Sequence, residues 1–200
     1  MLFLLALLSV KSFVVELEKP GRITTTNGVL DVDVPAGATL WWKQEITQPV
    51  EIQYEALAVS EGGVNDRVSD LNCFWMAADA LSKHRSGKFS DYDDLRTYYA
   101  GLGGNSNTTT RFRRYIGAPG NRPLLPEHDL QAPEFLLRAN VWQTIRLVAN
   151  GNRIQYYRDG KLIFDFTDPA PYTRGYFALR TTQSHIRIRN FRITRLQSTR

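Results

Sequence analysis

Along most of the chain, apolar and polar residues alternate with period two, the pattern of strands that bury one face. Within 50–58, Val50, Ile52, Tyr54 and Ala56 fall on one face, with Glu51, Gln53 and Glu55 opposite. The same alternation predicts strands at 13–17, 29–34, 38–44, 70–77, 96–101, 108–116, 141–149, 153–158, 161–166, 175–182 and 185–195. Asn150-Gly151 and Asp159-Gly160 separate consecutive runs, and both dipeptides reach positive φ at low cost, so they predict tight hairpins. About twelve strands with turn signals at this spacing predict an all-β sandwich of two antiparallel sheets. The irregular stretches 60–69, 78–95 and 117–140 are rich in Gly, Pro, Asp and Ser. Such segments lie at rims or across a sheet face, where binding groups are commonly carried.

Composition adds a size and a bias. Two hundred residues, 42% hydrophobic and 22% charged, fit one globular domain and exclude disorder, collagen and a disulfide framework. The apolar run Met1–Val10 is too short to cross a bilayer, which takes about 20 residues, and matches in length the core of a secretory signal. We therefore read 1–10 as a signal remnant, 11–200 as the domain, and the chain as secreted or periplasmic. The single cysteine, Cys73, has Phe74 and Trp75 beside it and reads as buried filler. The net charge is +5, and of 25 basic residues 19 are Arg and only six Lys. Arg binds carboxylate or phosphate through a planar fork, so the bias points to an anionic partner.

Two blocks carry a resemblance. Asn140–Gly160, followed by Gly175-Tyr-Phe-Ala-Leu-Arg180 and His185-Ile-Arg-Ile-Arg-Asn-Phe-Arg192, resembles the closing strands of concanavalin-A-like lectin/glucanase jelly rolls. The same stretch is similar to the 3-keto-disaccharide hydrolase family. Arg67–Ala77 with Leu95–Tyr115 resembles a family of exported jelly-roll domains associated with polysaccharide degradation. The resemblance implies a jelly roll of about twelve strands acting on or binding polysaccharide, and three activities: lyase, hydrolase or binding module.

The residues discriminate among these. No Glu-x-Asp-x-Glu string is present to supply the paired carboxylates of a retaining hydrolase. Asp31-Val-Asp33 and Asp91-Tyr-Asp-Asp94 read as surface and turn clusters, the second with hard oxygens suited to a structural Ca²⁺. No other cofactor or metal is expected. A lyase instead needs a base at the uronate C5 proton and Arg, Asn or Gln at the carboxylate. On 108–115, Thr109, Arg111, Arg113 and Tyr115 share one face, which if concave forms a basic, aromatic groove. Asn72 shares its strand face with Asp70, Phe74 and Met76. The favoured reading is a lyase cleaving uronate-containing glycan by β-elimination, with Arg111, Arg113 and Asn72 at the carboxylate and Tyr98 or His185 in proton transfer. Tyr99, Tyr115 and His84 are further base candidates, each with a plainer role as sheet aromatic or loop residue. Trp42, Arg96, Tyr99, Tyr115 and Arg180 are the expected sugar contacts, an indole being a natural stacking platform. The alternatives are a non-catalytic carbohydrate-binding module using the same groove and a hydrolase of the 3-keto-disaccharide type. Arg187, Arg189, Arg192, Arg195 and Arg200 alternate with Ile186, Ile188 and Ile193, so they read as the outer face of a half-buried strand. The partner is thus an acidic polysaccharide or oligosaccharide, with no nucleic acid and no membrane span, and a monomer is the default.

Overall fold

The computed structural model describes residues 3–5 and 8–197. The expected leader, 1–10, lies partly outside these residues. Among the described residues the chain forms sixteen strands in two eight-stranded antiparallel sheets, a jelly-roll sandwich. The first sheet runs β14 (Lys161–Thr167), β13 (Arg153–Arg158), β12 (Gln143–Asn150), β7 (Val50–Ala58), β16 (Ser184–Arg195), β4 (Val29–Val34) and β3 (Arg22–Thr26). β1 (Phe3–Leu5) pairs with the distal part of β16. The second runs β11 (Asp129–Leu130), β10 (Thr109–Ile116), β9 (Arg96–Gly103), β8 (Asn72–Ala78), β15 (Arg174–Thr181), β5 (Ala38–Trp42) and β2 (Phe13–Leu17). β6 (Ile46–Thr47) pairs with the start of β15. No helix among the described residues is long and apolar enough to cross a membrane.

All twelve predicted strands form, with ends moved by a residue or two. The four additional ones are β1, β3, β6 and β11. β3 is an edge strand with only partly buried residues, Ile23 and Thr25, so its sequence carries little alternation. Its hairpin nevertheless uses Asn27-Gly28, both at positive φ (50° and 76°), the same signal as at Asp159-Gly160 (50° and 77°).

The main core lies between the sheets. Trp75, Tyr98, Phe112, Phe177 and Leu40 from the second sheet meet Ile52, Tyr54, Leu147, Tyr156 and Ile188 from the first. Cys73 is buried there, and burial pushes its thiol up to about 12, which removes it as a nucleophile. Trp42 is also core, 4% exposed and in contact with Phe13 and Phe191, so it offers no stacking platform. A second apolar cluster lies on the outer face of the second sheet, where Trp41, Phe74, Tyr99 and Tyr115 are roofed by Tyr92 and Leu95. The roof is the irregular stretch 79–95. Its anchor is Glu16, which accepts from Trp41 Nε1 (2.9 Å), Tyr92 Oη (2.8 Å) and the Arg85 backbone N–H (2.7 Å).

The carboxylates proposed for Ca²⁺ are engaged elsewhere. Asp91 accepts from Ser86, Asp93 pairs with Arg122, and Asp94 pairs with Arg85 and Lys83. Among the described residues no group of three or more His, Cys, Asp or Glu side chains is placed to hold a metal ion. Two of the C-terminal arginines find acids rather than open water. Arg187 pairs with Asp31 and Glu61, and Arg189 with Glu55.

Candidate functional site

Strand register lines up two cross-strand rows on the outer face of the second sheet. One reads Arg111, Gly101, Asn72, Arg180, Thr39 and Glu16; Asn72 falls level with Gly101 because Cys73 pairs with Ala100. The next reads Arg113, Tyr99, Phe74, Ala178, Trp41 and Val14. The first row is largely polar and the second largely aromatic, because alternate residues of each strand share a face. At the β10–β9–β8 end these rows open into a cavity of about 370 Å³. The strands line it with Asn72, Tyr99, Gly101, Thr109, Arg111 and Arg113. The connecting segments add Arg67, Asp70, Phe89, Arg122 and Thr182, together with Gly104 and the left-handed residues Asn105 and Ser106. Gly101 is required here, since a Cβ would stand 2.7 Å from the Tyr99 hydroxyl; without one, the Tyr99 side chain lies across the strand.

The charges in this cavity differ in how they are neutralised. Arg111 clamps Asp129 with Nε (2.8 Å) and Nη2 (3.0 Å). Arg122 clamps Asp93 in the same bidentate way (2.6 and 3.1 Å) and stacks 4.6 Å from the Phe89 ring centre. Arg67 bonds Asp70, Thr182 Oγ1 (2.6 Å) and the Gln183 carbonyl (3.0 Å). Arg113 alone among the four is in no ion pair among the described residues; its Nη1 donates to the Arg122 carbonyl. Burial lowers its pKa somewhat, but the guanidinium stays charged.

Two further groups face the same space. Asp70 accepts from Ser69 Oγ (2.8 Å), Thr182 Oγ1 (2.6 Å), Arg67 and Asn72 Nδ2 (3.1 Å). The last bond fixes the Asn72 amide so that its Oδ1 is buried without a partner. Burial, with Tyr115 and Asp70 nearby, raises the Tyr99 hydroxyl well above its ordinary value, which makes it a hydrogen-bond donor and a poor base. A cation without a counter-ion, a phenol and the Phe89 ring therefore meet in a single cavity, with the buried, unpartnered Asn72 Oδ1 belonging to a residue of its wall.

Of the residues expected from sequence, Asn72, Tyr99, Arg111 and Arg113 are brought together here. Tyr115 and Arg180 lie on the same sheet face but beneath the surface, 0% and 1% exposed. Four expectations are corrected by position. Tyr98 points into the core, where its hydroxyl donates to Asp168 (2.7 Å), because alternation puts it opposite Tyr99. His185 lies on β16 of the other sheet, between Asp66 (2.9 Å) and Asp31 (3.1 Å). Arg96 is at the exposed start of β9, paired with Asp79. Trp42 is in the core. His84, a further base candidate, is exposed in the roof near Glu16. Sequence reading missed Arg67, Asp70, Phe89, Arg122 and Thr182. Asp70 was legible, since it shares the Asn72 face; the others sit outside regular strands or at a strand end, where alternation assigns no side.

Residues 32–191 match the model of a family described as "Domain of unknown function (DUF6250)". No curated protein matches the chain. Among solved structures, it is similar to a protein of unknown function with galectin-like fold from Bacillus subtilis, at 15% identity and TM-score 0.71, covering 95% of this chain and 92% of that one. It is similar to the carbohydrate-binding module CBM66 from Bacillus subtilis at 12% identity and TM-score 0.61 (90% and 93% covered). It is also similar to the exoplasmic/lumenal domain of VIP36 in its Ca²⁺/Man3GlcNAc-bound form, at 13% identity and TM-score 0.65 (94% and 86% covered). At these identities the likeness establishes the jelly-roll fold.

Proposed function

The chain belongs to the DUF6250 family, and we propose that it is a carbohydrate-binding jelly roll whose cavity over β8–β10 takes an acidic sugar. The observation that carries this reading is Arg113, a cavity cation with no counter-ion among the described residues, with the unpartnered Oδ1 of Asn72 two strands away along the same cavity. A uronate unit supplies both complements: its carboxylate pairs with the Arg113 guanidinium, and a ring hydroxyl donates to Asn72 Oδ1. Phe89 and Tyr99 offer aromatic edges and faces to the sugar's apolar C–H surface. Sugar recognition by CBM66 and by the VIP36 domain, both on this fold, supports the ligand class by analogy.

Binding is better supported than cleavage. β-Elimination needs a proton acceptor within hydrogen-bond reach of the bound C5. Tyr98 and His185 lie away from Arg113, and Tyr99 holds its proton strongly. An exported setting fits a polymeric ligand of this kind.

The test is a panel of pectate, alginate, hyaluronan and the neutral glucan of cellulose. Retardation in gels carrying each polymer measures binding, and absorbance in the unsaturated-uronate band measures elimination. Retardation by one or more acidic polymers without absorbance gain is expected. Absorbance gain would replace the binding reading with a lyase, and retardation by neutral glucan alone would remove the acidic assignment.

A further inference from the structure

The polar row continues past the edge of the cavity. Beyond Asn72 its next member is Arg180, 1% exposed. Arg180 Nη1 donates to Thr39 Oγ1 (2.9 Å) and to the Gly87 carbonyl (2.5 Å). Its Nε and Nη2 have no partner, and it is in no ion pair among the described residues. Holding Gly87 in place occupies Nη1 only. Two idle donors on a buried cation, beside the idle acceptor of Asn72, are not accounted for by that role.

Phe89 separates Arg180 from the cavity. Its ring lines the cavity and stands 4.6 Å from the Arg122 guanidinium and 5.5 Å from that of Arg180, which is also covered by the Tyr92 ring at 5.1 Å. The ring is half-buried and stands on a single 3-10 turn, Phe89–Tyr92. Two residues earlier, Gly87 is packed so closely on the backbone of Gly37 and Glu18 that a Cβ could not be added. The roof backbone is therefore fixed at Gly87, while the Phe89 side chain is bounded by the cavity on one side.

We propose that Arg180 and Asn72 form a covered subsite continuous with the cavity, that Phe89 is its door, and that the subsite takes the carboxylate and a neighbouring hydroxyl of a uronate unit. The inference rests on the reading of the cavity as an acidic-sugar groove. Neighbouring strands are about 4.8 Å apart, so Arg111 and Arg180, three strand spacings apart along the row, span roughly 14 Å, the reach of an oligosaccharide rather than one ring. When Phe89 turns aside, Arg180 keeps the Tyr92 ring and exchanges its second aromatic neighbour for a carboxylate, and its Nε and Nη2 gain an acceptor.

The experiment titrates wild type, Phe89→Ala, Arg180→Lys and Arg180→Gln with trigalacturonate, a hyaluronan tetrasaccharide and cellotriose. Thermal melting confirms folding of each variant. The proposal expects Phe89→Ala to bind at least one acidic oligomer about tenfold more tightly than wild type, and each Arg180 substitution to weaken it about tenfold, with cellotriose unaffected. Phenylglyoxal labelling gives a readout free of ligand: Arg180 should be protected in wild type and modified in Phe89→Ala. Acidic oligomers bound equally by all folded variants, or Arg180 unreactive in Phe89→Ala, would overturn the covered subsite and leave the groove reading intact. Binding of neither acidic oligomer by any form would overturn both.

Discussion

Arg111 and Arg113 leave the same face of β10 two residues apart, yet Asp129 clamps only Arg111. The pair separates structure from recognition. Arg111→Ala strands the Asp129 carboxylate, which also accepts from Thr109, and should cost about 1–2 kcal/mol of stability for a half-exposed bidentate pair. Arg113→Ala breaks no ion pair and should leave the melting temperature nearly unchanged while weakening uronate binding about tenfold, roughly 1.4 kcal/mol. Calorimetric melting and isothermal titration of both variants check the split.

Tyr98 belongs to a buried network and not to the groove. Asp168 is 1% exposed, with Tyr98 Oη at 2.7 Å and Arg114 Nε at 2.6 Å. Asp168→Ala leaves a buried phenol and a guanidinium without their acceptor and should cost about 3 kcal/mol. Tyr98→Phe removes two bonds, the one donated to Asp168 and the one accepted from the Tyr172 amide (3.1 Å), and should cost about 2 kcal/mol. Neither should alter affinity per folded molecule; a Tyr98→Phe variant that folds and loses binding would return Tyr98 to the site.

Acid should unfold the protein through the same network. Burial raises the Asp168 pKa, but Arg114, Tyr98 and the Ala170 amide together outweigh it, so the folded value lies below the ordinary carboxylate value. Asp31 and Asp66 are likewise lowered despite burial, the first by His185, Arg187 and Arg22, the second by the backbone amides of Glu61 and Gly63 and by His185. A depressed folded pKa contributes stability that is full above the unfolded value, about 3.9, and is lost as pH falls through the folded value. Melting temperature should therefore fall steeply below about pH 4, and Asp168→Asn should start lower and fall less.

Gly101 shapes the cavity by lacking a side chain. Gly101→Ala puts a methyl group where the Tyr99 hydroxyl now lies, so the Tyr99 side chain must shift into the cavity. Affinity should drop about tenfold and stability by about 1–3 kcal/mol, because the Tyr99 ring that has to move is packed against Phe74, Phe89 and Tyr115. Titration beside a melting curve checks both figures.

Most of the fold was legible because burial on one face imposes period two; of the strands of five residues or more, β3 was missed, its three threonines giving the edge strand little apolar alternation. β6 and β11 are two residues each and cannot show it. The site was legible only where strands carry it. Alternation paired Arg111 with Arg113 and Asn72 with Asp70, and it also separated Tyr98 from Tyr99. It could not say which face was core, so Tyr98 and Trp42 were assigned to the wrong side of their strands. Phe89 and Arg122 occupy irregular segments whose path over the sheet depends on distant anchors such as Glu16 and Asp93, and no local pattern encodes those. His185 illustrates the remaining gap: a histidine next to a strand of arginines suggests chemistry, whereas its partners Asp31 and Asp66 are 154 and 119 residues away.

The central claim is that a carboxylate is read by Arg113 in this cavity. The direct measurement is isothermal titration of wild type and Arg113→Ala with an oligogalacturonate and with its fully methyl-esterified form, which removes charge and keeps the sugar's shape. The account predicts wild-type binding of the acid, weakened about tenfold by esterification and to the same extent by Arg113→Ala, with no further loss when the two are combined. Equal affinity for acid and ester, or an Arg113→Ala variant that still tells them apart, would contradict it.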